Sequence, residues 1–408
     1  MENVENADKK KKKYKLLKTI VVSILVILAV TIGMLIAFLP VTYKFDHSLI
    51  IKNEDYNVVK VQGEYTALAK TDASGNYLDD DFKIIGFTDF HLDTYKENGN
   101  VTIQMLIQNI SSQKPDLVVF VGDNITSALN RRRAKQLGDL MEKLGVYWTL
   151  VLGNHEGDNI ASISRQKMME IFASYPHCLA ETDIKTTKSG EEVWGVGNHV
   201  INLLNSDSSI RQSLYFFDSG SEMSSDDIEK YKEEIESTNN RKDNYIKESQ
   251  IQWYIETVED INAKEGHTVK SVVFNHIPLQ EFNTAYNEAS EGKSDAELLF
   301  GSKLEGVCAS GHNNGFFDVM LECGSTQAFI SGHDHMNDFA IKYKGIILVY
   351  NQNSGYSSYN VVTKKKADTL IQGFSEYMID KDGGLTVKPY HNAELYPDLQ
   401  EEILELYK

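Results

Sequence analysis

Five apolar runs in this chain each end in a residue able to bind a cation, and this recurrence limits the possible folds more than any other feature. Phe82–Phe87 leads to Asp89-Phe90-His91, Leu117–Gly122 to Asp123, and Trp148–Gly153 to Asn154-His155. Val272–Asn275 leads to His276, and Ala328–Gly332 to His333-Asp334-His335. Runs rich in Val, Ile and Phe, without polar alternation, read as strands buried on both faces, and such sheets need helices over them. Oxygen and imidazole donors at the ends of such strands converge.

Between these runs the period changes. Ile103, Leu106, Ile107 and Ile110 stand at helical spacing, as do Leu137, Leu140, Met141 and Leu144 before Gly145. Strand, helix, strand, helix and strand in succession predict a βαβαβ unit with right-handed crossovers. Helices are also expected over 249–259 and 316–323. Paired strands are expected at Trp194–Val196 and His199–Leu204, joined across Gly197-Asn198. Runs at 340–343, 346–350, near Val361, 370–374 and 385–387 predict strands of a second layer. The highly charged stretch 222–248 reads as a solvated insertion rather than core. Residues 40–80 read as linker and domain edge with a short strand near 63–69. The main domain is expected over 81–395, with a tail or short helix over 396–408.

The N-terminus carries its own signal. Seven lysines (Lys9 to Lys13, Lys15 and Lys18) precede Thr19–Leu39, 21 residues without a charge. A helix of that length crosses a hydrocarbon core of roughly 30 Å. Lysines favour the cytoplasmic side, so residues 1–18 read as a basic cytoplasmic tail, 19–39 as a signal-anchor and the rest as extracytoplasmic, at a cell surface or in a secretory lumen. A cleaved signal peptide is the competing reading; its apolar core is normally shorter, and Phe38–Thr42 offers no clear cleavage site.

At 408 residues the chain accommodates one large α/β domain with additions, or two smaller ones. A net charge of -18 argues against a nucleic-acid-binding surface. Cys178, Cys308 and Cys323 lack CxxC spacing; they read as small buried side chains, with a Cys308–Cys323 bridge as the alternative in an oxidising space.

The donors Asp89, His91, Asp123, Asn154, His276, His333 and His335 include no thiolate, which suits Mn, Fe or Zn. Seven donors are too many for one four-coordinate zinc and suit two ions about 3.5 to 4 Å apart that share a carboxylate.

The order DxH, GD, GNH, H and GHxH, each after an apolar strand, resembles the calcineurin-like metallophosphoesterase superfamily. More narrowly, FNHIPLQEF, GHNNGFFDVMLECG and GHDHMNDFAIKYKG, followed by Ser354-Gly355-Tyr356, resemble purple acid phosphatase-like proteins and yeast Dcr-type phosphatases. The resemblance implies a four-layer α/β/β/α sandwich with two mixed sheets, here preceded by one transmembrane helix. It also implies a first metal on Asp89, His91 and His335, a second on Asn154, His276 and His333, and Asp123 bridging them. His155 would approach the leaving oxygen, and Asn124 would position a phosphate oxygen or order His155. The implied reaction is hydrolysis of a phosphomonoester by direct attack of a hydroxide held between two divalent metals. A phosphodiesterase acting on nucleotide or lipid-headgroup diesters is the alternative, and a non-catalytic surface module a further one. True purple phosphatases resemble this set but carry a tyrosine three residues after the bridging aspartate; Thr126 stands there, so a colourless enzyme is expected. His312 and Tyr356 each keep two readings, a pocket-facing residue or an ordinary loop or packing residue.

Overall fold

A computed structural model of the chain describes residues 2–38, 43–52, 57–93, 98–159, 161–238 and 241–405. It separates into two compact units, Met1–Thr42 and Tyr43–Lys408.

The first unit is a helix, Glu2–Phe38. Within it Lys10–Met34, 25 residues, is long and apolar enough to cross a membrane, and none of its most apolar window is buried. At 1.5 Å per residue it spans about 37 Å. The lysine-rich stretch expected as an irregular tail continues this helix, because Glu, Lys, Leu and Ala lose little side-chain freedom there. The junction residues 39–42 lie outside the described residues.

The second unit holds two mixed sheets. The smaller runs in the order Leu385–His391, Gly373–Ile379, Phe82–Phe87, Leu117–Val121, Trp148–Val151. Its last three strands are parallel and joined by the helices Asn98–Gln113 and Asn130–Leu144, the expected βαβαβ unit. Gly145 closes the second helix at φ 68°, donating its N–H to Met141 O. The larger sheet has ten strands, with Lys270–Phe274 and Thr326–Ser331 parallel near its middle.

Side-chain alternation sorts these strands into three cores. Ile84, Val119 and Val151 of the smaller sheet meet Phe216, Val272, Phe274 and Ile330 of the larger. Ile85, Phe120 and Leu150 point the other way, onto Ile107, Leu137, Met141 and Phe172 of the covering helices. On the far face Val273, Phe329 and Leu348 pack against Tyr254, Val258, Phe316 and Met320. Burial on both faces accounts for the unbroken apolar runs.

Several local expectations differ from what is observed. Trp194–Val196 is not a strand; Gly195 at φ 94° and Gly197 at φ 79° turn the chain there, and Val196 N–H is captured by Asp218 Oδ2 at 2.8 Å. His199–Leu204 pairs instead with Ile210–Phe216. The strands expected in one second layer divide: Ala340–Tyr343 and Ile346–Tyr350 extend the larger sheet, whereas Gly373–Ile379 returns to pair with Phe82–Phe87 in the smaller. No strand forms at Val361, because Asn360 Oδ1 accepts the N–H groups of Val362 and Thr363 in a turn. The stretch read as linker and edge supplies Val58–Val61, Thr66–Thr71 and Tyr77–Leu78 to the larger sheet. The charged insertion forms two short helices, Ser225–Lys230 and Lys232–Ser237, with its own small core of Met223, Ile235 and Tyr245. Pro397–Glu405 is helical, and Ile403 packs on Met105, Tyr356 and Leu370.

Candidate metal centre

The donor residues leave the strand ends in a conformation that L-residues seldom adopt. Asp89, His91, Asp123 and His333 have φ of 57°, 45°, 50° and 78°. Backbone bonds between the loops hold them there: Asp89 N–H to Gly122 O (3.1 Å), His91 N–H to Asp123 O (2.9 Å) and Gly332 N–H to His276 O (3.1 Å). His333 N–H also donates to Asp89 Oδ2 at 3.0 Å. Loop backbones this close exclude a Cβ at two glycines. One on Gly153 would lie 2.2 Å from Asp123 Oδ1, and one on Gly122 would lie 2.3 Å from His276 Nδ1.

Two groups of side chains result, Asp89 with His91 and His335, and Asp123 with His276 and His333. Within each, the donor atoms lie within 4.8 Å of one another. Asn154 Oδ1 joins the second group, 3.2 Å from His276 Nε2. Asp123 Oδ2 stands between the groups, 3.3 Å from His276 Nε2 and 3.6 Å from His91 Nε2. All seven residues that the sequence singled out as metal donors are therefore brought together.

The donors fit divalent cations better than they fit each other. Asp89 Oδ1 and Asp123 Oδ2 are buried without a hydrogen-bond partner, which is costly for a carboxylate unless a cation faces it. His91 Nε2 and His335 Nε2 point at each other across 3.0 Å. Backbone carbonyls take the other ring nitrogens: His276 Nδ1 lies 2.7 Å from Val121 O, and His335 Nδ1 lies 3.2 Å from Tyr359 O. This leaves each Nε2 directed into the centre. The two clusters are consistent with a dinuclear metal site.

Local electrostatics divide the imidazoles: against the lowering effect of burial, Asp123 raises His276 to about 10 and Asp89 raises His335, whereas His91 and His333 are lowered. Burial pushes the His91 imidazole down to about 3, and burial together with His276 pushes His333 to about 4, so both are neutral donors. Burial alone would raise the Asp123 carboxyl, but the neighbouring His276 and His91 hold it well below the usual range.

His155 sits at the mouth. Its N–H donates to Asp123 Oδ1 at 2.8 Å, its Nε2 lies 4.0 Å from Asp123 Oδ2, and its side chain is 42% exposed. Its Nδ1 is bonded to Asp158 Oδ2. Burial would lower its pKa, yet Asp123 and Asp158 raise it. Asn124 lies behind: its amide donates 3.2 Å to Val151 O and 3.0 Å to Glu156 Oε1.

Three further residues were not foreseen. Buried Glu156 accepts from Asn124 N (2.7 Å) through Oε1 and from Gly153 N (2.8 Å) through Oε2, tying two donor loops together. Its place directly after Asn154-His155 was the available signal. Arg165 donates to Gly153 O and to Asp218 Oδ1, anchoring the same loop to the neighbouring sheet. Asp243, from the charged insertion, lies 3.7 Å from His333 Nε2. Nothing in the sequence pairs residues so far apart.

Other candidates fall outside the centre. His312 stacks on Tyr231 at 3.5 Å and bonds Glu234 at 2.7 Å within the insertion. Tyr356 is buried, its hydroxyl accepting from Asn392 at 3.0 Å. The three cysteines are unpaired, and Cys308 and Cys323 are only partly buried.

Two mixed sheets whose strand ends carry paired His/Asp clusters define a metal-dependent phosphoesterase fold. The chain belongs to the calcineurin-like phosphoesterases, whose family pattern matches residues 82–337. Within that family it is related to plant proteins. It is 30% identical over 278 residues to "Probable inactive purple acid phosphatase 29" and 28% identical over 283 residues to "Probable inactive purple acid phosphatase 14", both of Arabidopsis thaliana. In each case the match covers 64% of this chain and 64% of the relative's length. A dimetal phosphatase from Danio rerio superposes with a TM-score of 0.45 at 14% identity, over 76% of this chain and 99% of that one.

Proposed function

We propose that this protein is a phosphomonoesterase carrying two divalent metal ions, with its catalytic domain outside the cytoplasm and the N-terminal helix as a membrane anchor. The observation that carries this reading is Asp123 Oδ2, buried, unpartnered and placed between two His/Asp groups. Asp89, His91 and His335 would hold one ion, Asn154, His276 and His333 the other, and Asp123 both. Ions there supply positive charge for the phosphoryl oxygens and lower the pKa of a bound water.

The chain's own residues account for the remaining steps. His155, whose protonated form Asp123 and Asp158 favour, would donate a proton or hydrogen bond to the departing ester oxygen. Asn124 keeps the bridging loop in register through Glu156 and Val151. The loop bonds fix every donor before substrate arrives, so little reorganisation accompanies the charge shift. Thr126 leaves no phenolate in the place that gives purple phosphatases their colour.

The names of the Arabidopsis relatives include the word inactive, which supports a second, non-catalytic reading. Intact donors, with His155 at the mouth, favour catalysis in this chain. Rates on an aryl monophosphate and a bis-aryl phosphate, with Mn, Zn and Fe supplied separately to the purified full chain, test both. Faster monoester hydrolysis is expected. Preference for the diester would replace the substrate class, and tight metal uptake without hydrolysis of either would favour the non-catalytic reading.

A further inference from the structure

The charged insertion forms one wall of a second chamber. Its two ends pair as a ribbon: Met223 N–H donates to Lys242 O and Asn244 N–H to Ser221 O, each at 2.9 Å. Asp243 faces His333 of the metal centre, whereas Asn244 and Tyr245 line a separate cavity of about 750 Å³. That volume falls in the range of roughly 300 to 1,000 Å³ typical of small-molecule sites.

Three independent features give this cavity a chemical preference. The first is charge. Glu191, Glu192, Glu222 and Glu248 line it, none with a salt bridge among the described residues, and with Asp227 they outnumber the lining lysines Lys230 and Lys247. The fifth carboxylate, Asp227, is paired with Lys247 at 2.8 Å. The second is aromatic surface. Trp194 lines the cavity and is 40% exposed, whereas Trp148 and Trp253 are 0% and 6% exposed. Its position is built in: a Cβ on Gly220 would lie 2.4 Å from the indole Cη2. The third is Asn244, 3% exposed, whose buried side-chain oxygen has no hydrogen-bond partner. A buried acceptor of this kind calls for a donor.

The chain itself shows what these rings accept. The Lys247 ammonium lies 3.5 Å from the Tyr245 ring centroid and 5.7 Å from that of Trp194. Ammonium groups over aromatic faces are attracted by the ring quadrupole, and surrounding carboxylates strengthen the preference.

We propose that the cavity between Trp194 and the 221–248 ribbon is a binding site for an organic cation of the alkylammonium class. Its carboxylates supply the counter-charge, the exposed indole stacks on the cationic carbon or nitrogen, and the Asn244 carboxamide accepts an N–H or polarised C–H. The site is separate from the metal centre, and the proposal does not depend on the phosphoesterase reading.

Intrinsic fluorescence of the full chain in a maltoside detergent tests it, because Trp194 is the one exposed tryptophan among the described residues. Choline chloride probes quaternary ammonium and spermidine hydrochloride probes primary amines, against sodium chloride at matched ionic strength. A saturable change with either amine, absent with sodium and unaffected by excess inorganic phosphate, is expected. W194F should abolish the change. If W194F does not fold, E192Q/E248Q keeps the indole and should weaken binding about tenfold by calorimetry, since two exposed counter-charges are removed. A response equal to that of sodium chloride, or binding unchanged in E192Q/E248Q, overturns the proposal.

Discussion

Gly153→Ala isolates the part that close loop packing plays in holding the metal donors. The Ala Cβ would stand 2.2 Å from Asp123 Oδ1 and 2.3 Å from Asp123 N, against ordinary contacts of 3.4 Å or more. One of those atoms is backbone, so no rotamer change relieves the contact; the 123 loop or the 153 loop must move by about 1 Å. His155 N–H and His91 N–H both bond to Asp123, so a displacement at 123 reaches the first metal group too. Sites of this kind tolerate donor shifts of only about 0.5 Å. Loss of at least about tenfold in affinity for the bound ions is expected, by analogy with disturbed supporting contacts. Gly157→Ala is the control: it changes a glycine four residues away, with nothing within 4 Å of the added Cβ. Metal equivalents retained after dialysis against a competing chelator, measured for both variants beside the unaltered chain, make the comparison. Equal retention in G153A and G157A would refute the argument that Asp123 is held by this packing.

Three further outcomes follow from the same structure. Asp123→Asn and His276→Ala should each remove metal and activity together, whereas His155→Ala should keep metal and lose about 10² to 10⁴ in rate; full activity of H155A on a poor leaving group would contradict its proton-donating role. Removing the partly buried guanidinium in Arg165→Met leaves buried Asp218 with backbone N–H donors but no counter-charge and should cost about 2 to 4 kcal/mol in urea unfolding, with a loss below about 1 kcal/mol speaking against the pair as an anchor. His199 is buried against Thr149 Oγ1 and Gly197 O, and burial lowers its pKa from 6.5 to about 4 although Glu181 opposes. The unfolded chain therefore binds a proton first, and stability present above pH 6.5 is lost as pH falls towards 4, by about 3 kcal/mol at most. His199→Gln should flatten that slope; an unchanged slope would assign it to other groups.

The residues of the candidate metal centre were legible because each follows an apolar strand, and a strand's end is a local property. The βαβαβ unit was legible for the same reason, through its change of period. Sheet membership was not: Gly373–Ile379 pairs with Phe82–Phe87 almost 300 residues earlier, and hydrophobicity does not name a partner. Trp194–Val196 has the composition of a strand, but the capture of Val196 N–H by Asp218 removes it from any ladder. Glu156, Arg165 and Asp243 acquire their roles only through contacts made by the folded chain. Among them Asp243 comes from the stretch whose charge made it look most dispensable.

The left-handed backbone at Asp89, His91, Asp123 and His333 has a consequence for how the protein is made. Loop-to-loop bonds and three large apolar cores hold that shape. In small zinc modules the chain cannot fold until metal arrives. Here the loops are held by the chain's own bonds, so folding is expected to precede ion loading. Chelation should yield a folded apoprotein that regains its ions without refolding.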